Sequence, residues 1–203
     1  MDLYVVRHAQ PHRISAGTGG ADPALTELGR RQAAALAEWF AGDPDRLPTR
    51  IVSSPMLRAR ETAEPLSAIS GIGIDVDPRL AEFDIGASEY VPIEAMPGDR
   101  IARVEKALLT GEWGSHRFDP HEFRERVLNA FTDIAAGADG RPAVVVCHGG
   151  VLNVFLCDLA GAEPGVFFEP VYTSISRVVR SPAGPLEIAS LNLAPHAAPD
   201  LAL

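Results

Sequence analysis

Four times along this chain a short apolar run rich in β-branched residues stops at polar residues, and in most cases a helical pattern follows. The runs occupy residues 3–6, 50–53, 71–76 and 143–147. Each is too short for a helix and reads as a buried strand. Repeated strand–loop–helix units imply crossovers between parallel strands, and a parallel sheet needs helices against both faces. The expected fold is therefore α/β, with a mostly parallel central sheet covered by helices on both faces.

The helical stretches support this. Leu28, Ala33, Leu36, Ala37 and Phe40 fall on one face behind a candidate N-cap at Thr26, although Gly29 makes the opening turn imperfect. A second helix is expected over residues 56–69 after Pro55, a third from Asp119-Pro120 to about residue 136, and a fourth over 151–159. Residues 173–180 and 186–193 instead alternate apolar and polar around a turn, Pro182-Ala183-Gly184-Pro185, which predicts an antiparallel hairpin on the sheet edge. Residues 87–118 contain a helical piece broken by prolines and glycines and are taken as a helical insertion over the strand ends. Residues 11–24 read as a loop, mobile at 17–20. No repeat or linker is visible, so one domain is expected over 1–193, with a flexible tail at 194–203.

Composition excludes several partners. A chain of 203 residues with 46% hydrophobic residues can bury a sizeable core, and a net charge of −9 argues against nucleic acid and anionic membrane surfaces. No window approaches the length of a membrane span, and the amino terminus lacks a leader pattern. Cys147 and Cys157 fall in a strand and helix of one unit, so a reduced, cytoplasmic protein is expected.

Three strand ends carry polar groups: Arg7-His8, Ser53-Ser54 with Arg58 one turn later, and His148-Gly149-Gly150. Arg58 would project beside Arg7 if the strands at 3–6 and 50–53 are parallel neighbours. Glu82 and Asp84 flank Phe83 in a loop after the third strand. Two histidines, two arginines and a carboxylate at the carboxyl edge of a sheet suit a phosphoryl group, because the guanidinium fork matches phosphate oxygens and a helix amino terminus attracts anions.

The segments Val5-Val6-Arg7-His8-Ala9-Gln10, Leu25-Thr26-Glu27-Leu28-Gly29-Arg30, Ser53-Ser54-Pro55-Met56-Leu57-Arg58-Ala59-Arg60-Glu61-Thr62, Leu80-Ala81-Glu82-Phe83-Asp84-Ile85-Gly86 and Val146-Cys147-His148-Gly149-Gly150 occur in an order that resembles the histidine phosphatase superfamily, the phosphoglycerate mutase-like family. The resemblance implies a phosphomonoester hydrolase acting on a small phosphorylated metabolite, without a metal or other cofactor. It implies that His8 is the nucleophile, its other ring nitrogen donating to a backbone carbonyl. Arg7, Arg58, His148 and Gly149 would hold the phosphoryl oxygens, and Glu82 would serve as general acid and then base. Asp84, two residues away, is the alternative carboxylate. The sequence departs from the family where Ala9 replaces the usual glycine and Gln10-Pro11 follows.

Two other readings stay open. Mutase chemistry would need further cations, for which Arg100, Arg103 and Lys106 are candidates. A non-catalytic phospholigand-binding module would need the pocket without the nucleophile and acid. Cys147 reads as a small buried residue rather than a thiolate nucleophile, and His12, His116 and His121 as solvated loop residues. Trp113 and Phe118 either contact substrate or form the insertion's core. Specificity is expected from residues 11–22 and 87–118, and a homodimer paired through the edge hairpin is compatible with the pattern.

Overall fold

The structure is a computed structural model that describes residues 1–14, 20–137, 140–180, 184–198 and 201. Strands β1 (Asp2–Arg7), β2 (Arg50–Ser53), β3 (Ile74–Val76) and β6 (Ala143–Cys147) run parallel, while β7 (Ile175–Arg180) and β8 (Leu186–Leu193) form the antiparallel end. The sheet order is β3-β2-β6-β1-β7-β8, the expected α/β architecture with the hairpin's outer strand at the edge. β1 and β2 are parallel but not neighbours, because β6 lies between them. Much of the loop expected to be mobile, and part of the turn between β7 and β8, fall outside the described residues.

The sheet's central strands are apolar on both sides because both faces are covered. Leu3, Val5, Val145 and Cys147 point into one core with α4 (Pro120–Ala136) and α5 (Gly149–Leu159). Their alternates Tyr4, Val6, Val144 and Val146 point into a second core with α1 (Glu27–Ala41) and α2 (Leu57–Ser70). The period of two sorts neighbouring side chains to opposite faces. Phe40 is fully buried in the second core, edge-on to Tyr4 with ring centroids 5.2 Å apart.

Local chemistry sets the helix starts. Thr26 caps α1 by accepting from the Gly29 amide at 2.9 Å. Gly29 is there for space: a Cβ would lie 2.1 Å from the Gln10 carbonyl oxygen, so α1 packs directly on the loop after β1. Asp119 caps α4, accepting from His121 and Glu122.

The segment 87–118 is more varied than a helical insertion. It holds a short 3₁₀ turn (Ile93–Ala95), helix α3 (Arg100–Thr110) and a small antiparallel ribbon of β4 (Glu112–Trp113) and β5 (His116–Arg117). Glycine permits both bends, with φ of 71° at Gly111 and 58° at Gly114. Beyond β8, His196 meets the Thr173 hydroxyl at 2.9 Å, and the Leu201 carbonyl accepts from Gln32 at 2.8 Å. Among the described residues no helix is long and apolar enough to cross a membrane.

Phe40→Ala should cost about 3–5 kcal/mol of unfolding free energy in urea titrations, because the cavity lies where two helices close on the sheet. A loss below about 1 kcal/mol would mean that this core is not packed as described.

Candidate active site

Parallel register brings the strand ends together. Arg7 pairs with Cys147, and the His8 amide donates to the Cys147 carbonyl at 2.9 Å, so Arg7-His8 and His148 leave the sheet side by side. The two imidazole rings lie 5.1 Å apart between centroids. Ser53 pairs with Val146 on the other flank, which carries α2 and its Arg58 to the same edge. Glu82 arrives on the loop that follows β3. Arg126 of α4 anchors that loop by donating to the Ala81 carbonyl at 2.7 Å.

His8 is 3% exposed, and its Nδ1–H donates to the Ala9 carbonyl at 2.8 Å, which leaves Nε2 with the lone pair. Burial, with help from Arg58 and Arg7, holds the imidazole pKa well below its usual value, so the ring is neutral. Next along, the Ala9 amide donates to the Thr62 hydroxyl at 2.9 Å, tying the strand end to α2. Neither Ala9 nor Gln10 has a positive φ, so alanine at position 9 carries no backbone strain. Gln10 turns away to α1, where it accepts from the Thr26 hydroxyl at 2.7 Å.

Arg58 is 1% exposed and donates through Nη2 to both oxygens of Asp84, at 2.9 and 3.2 Å. Its guanidinium also lies 4.7 Å from the Tyr90 ring centroid. Arg7 stands 4.1 Å over the ring of Tyr172 and donates to the Pro170 carbonyl at 2.6 Å. Arg7 Nε, Arg58 Nε and Nη1, and His148 Nδ1 are buried without a hydrogen-bond partner, although buried donors are nearly always paired. His148 Nε2 meets the Ser54 hydroxyl at 2.7 Å, and burial pushes its pKa well below the usual value. His148 packs against His8, and the next residue, Gly149, lines the cleft.

The two carboxylates separate cleanly. Asp84 is occupied by Arg58. Glu82 accepts from the Gly150 amide at 2.7 Å and from its own neighbour Phe83 at 3.0 Å, without a cationic partner. Burial, reinforced by Asp84, raises its pKa to about 7. Gly150 makes this possible, because a Cβ there would lie 2.4 Å from Glu82 Oε1 and 2.9 Å from the Phe83 ring. The Cys147 thiol is buried and its pKa is raised, so it is no thiolate.

The same cleft receives Tyr90, Val91, Ile93, Met96, Ile101, Val104 and Trp113 from the segment expected to form its roof. No described residue of 11–22 lines it, contrary to expectation. Val166, Phe168, Glu169 and Pro170 do, and nothing in their irregular sequence marked them. His116 is not merely solvated; its Nε2 meets the Phe83 carbonyl at 2.9 Å. Phe118 stacks on Phe83 at 5.1 Å and belongs to the core below the cleft. The cations considered for mutase chemistry are engaged elsewhere. Arg100 pairs with Glu169 at 2.8 Å, Lys106 with Glu112 at 3.1 Å, and Arg103 donates to the Pro97 carbonyl at 3.3 Å. Among the described residues no three His, Cys, Asp or Glu side chains are grouped to hold a metal ion.

Several known proteins resemble this chain. A glucosyl-3-phosphoglycerate phosphatase of Mycolicibacterium vanbaalenii is 34% identical over 170 residues, covering 78% of this chain and 74% of its own length. A Yersinia pestis protein named "probable phosphoglycerate mutase GpmB" is 29% identical over 170 residues, covering 79% of this chain and 75% of its own. The solved structure of a mycobacterial glucosyl-3-phosphoglycerate phosphatase with VO3 superposes with a TM-score of 0.71 at 25% identity, over 94% of this chain and 98% of that one. The family model of the histidine phosphatase superfamily (branch 1) matches residues 3–193, and the chain belongs to that superfamily.

Proposed function

We propose that this phosphomonoester hydrolase works through a phosphohistidine on His8 and takes a small phosphorylated organic molecule as substrate. The observation that carries the reading is the pairing, in one cleft, of a neutral His8 whose Nε2 bears the lone pair with a Glu82 that stays protonated up to about pH 7. Unpartnered donors on Arg7, Arg58 and His148 support it, since three phosphoryl oxygens would satisfy them.

In this reading Nε2 of His8 attacks phosphorus in line with the ester oxygen. The N–P bond forms as the P–O bond breaks, and the leaving oxygen takes the proton of Glu82. Arg7, Arg58 and the Gly149 amide hold the non-bridging oxygens as charge builds on them. His148 joins them through Nδ1–H, with the Ser54 hydroxyl donating to Nε2. Glu82, now ionised, takes a proton from the water that attacks the phosphohistidine. Phosphate leaves, and both groups return to their starting states.

A mutase would need cations to hold the substrate's carboxylate for return of the phosphoryl group. Arg100, Arg103 and Lys106 are committed to other partners and do not line the cleft, which favours the hydrolase. A simple binding module has no use for a carboxyl group kept protonated beside a neutral imidazole.

Replacing His8 by Ala should lower kcat/KM on phosphate esters by at least about a thousandfold and abolish an acid-labile, alkali-stable phosphoenzyme in rapid-quench labelling. Retention of full activity in this variant would disprove the nucleophile. Since the pKa of Glu82 is raised, its proton is available below about pH 7 and lost above it, so kcat/KM on alkyl phosphates should fall as pH rises through about 7. Glu82→Gln should remove that alkaline fall and lower kcat about 10²–10⁴-fold, with a much smaller effect on phosphoenzyme formation from p-nitrophenyl phosphate, whose leaving group needs no proton. An unchanged pH profile in this variant would reassign the acid. Gly150→Ala, which pushes a methyl group onto Glu82, should cost about tenfold or more in kcat on alkyl phosphates while the protein remains folded by circular dichroism.

A further inference from the structure

Beyond its charged floor the cleft changes character. Ile93, Met96, Ile101, Val104 and Trp113 of the roof segment line it together with Phe168 and Phe83. The only arginines in the lining are Arg7 and Arg58, both on the phosphoryl side, and no lysine or further histidine joins them among the described residues. The one outer carboxylate, Glu169, is paired with Arg100 at 2.8 Å. Asn153 also reaches the wall, but its amide is fully used: Nδ2 donates to the Gly149 and Phe168 carbonyls at 2.9 and 3.0 Å, and Oδ1 accepts from the Phe167 and Phe168 amides at 2.6 and 3.1 Å.

A substrate's alcohol moiety bound here meets hydrocarbon and aromatic rings. A carboxylate on that moiety would lose its water beside Glu169, and the nearby Arg100 is already neutralised by Glu169 and lies outside the lining, which is a penalty. Sugar hydroxyls would lose water with few free partners. An alkyl or aryl group, by contrast, gains from leaving water.

Resting on the phosphatase reading above, we propose that this chain is specific for phosphate monoesters of apolar alcohols or phenols, and that it discriminates against phosphoglycerates and sugar phosphates. The wall formed by Ile93, Met96, Ile101, Val104, Trp113 and Phe168 is the selecting element. This separates the chain from relatives named for glucosyl-3-phosphoglycerate, whose substrate carries a carboxylate and a sugar.

The test is initial-rate phosphate release by the purified full chain and its His8→Ala variant on methyl, butyl, hexyl and phenyl phosphate, glycerol 1-phosphate and 3-phosphoglycerate. The alkyl esters, glycerol 1-phosphate and 3-phosphoglycerate have leaving alcohols of similar chemistry, so differences among them report binding in the cleft. kcat/KM should rise about fourfold per methylene until the cleft is filled. Hexyl phosphate should exceed 3-phosphoglycerate by roughly a hundredfold or more. Ile101→Lys, at a residue 43% exposed and so compatible with folding, should narrow that ratio by about tenfold by lowering the first rate and raising the second. Met96→Ala should lower hexyl more than methyl phosphate. His8-dependent hydrolysis that favours 3-phosphoglycerate or glycerol 1-phosphate, or is flat across the alkyl series, would overturn the substrate class and leave the phosphatase reading standing. Turnover of no ester, or turnover that survives His8→Ala, would overturn both.

Discussion

Arg58 keeps a full positive charge with only 1% of its side chain exposed, and its surroundings are arranged to make that tolerable. An unpaired guanidinium in such a place would cost several kcal/mol. Asp84 takes one edge of it and the Tyr90 ring lies over it, yet Nε and Nη1 keep hydrogens without acceptors. The field of Arg58 reaches His8, His148, Tyr90 and Glu82. It helps to hold His8 and His148 neutral. The counter-ion Asp84 acts in the opposite sense on Glu82, adding to the burial that keeps that carboxyl protonated. One ion pair thus bears on the protonation of His8, His148 and Glu82.

The ion pair also joins the parts of the chain that differ in regularity. Arg58 comes from the first turn of α2, and Thr62 one turn later accepts from the Ala9 amide, so the helix holds both the guanidinium and the backbone after His8. Asp84 belongs to the loop carrying Glu82, and Tyr90 to the segment that roofs the cleft. Displacing α2 by an ångström would disturb Arg58, the backbone after His8 and the loop of Glu82 together. Positioning, more than any single contact, is what such an arrangement supplies.

How much of this was legible in the sequence follows from what leaves a periodic trace. A strand buried on both faces is apolar at every position, so residues 143–147 were visible down to their boundaries; Arg7-His8 and His148 stood out because they end such runs, and Arg58 because it falls in the first turn of the helix that follows one. The family resemblance favoured Glu82 over Asp84, but the residues alone left the choice open, since it depends on which carboxylate reaches Arg58 in space. Strand order left no trace either, and β6 between β1 and β2 could not be read from periods. The ribbon of β4 and β5 has two residues per strand, too few to alternate. Gly150 looked like a phosphate-binding glycine, whereas its amide serves Glu82 and its missing side chain makes room for it. The wall at residues 166–170 lies in irregular backbone, where side-chain direction has no sequence pattern at all.

The position of β1 has a consequence for how the protein is made. This strand carries the Arg7-His8 edge, is apolar on both faces, and pairs only with β6 and β7. Its first partner begins at Ala143, so a ribosome adding about 5–20 residues per second leaves β1 without a neighbour for roughly seven to twenty-seven seconds. Until then its backbone edges are open to other chains, and the face that packs on α5 waits for that helix as well. The strand that organises the finished molecule is also the segment most in need of shelter while the chain is being synthesised.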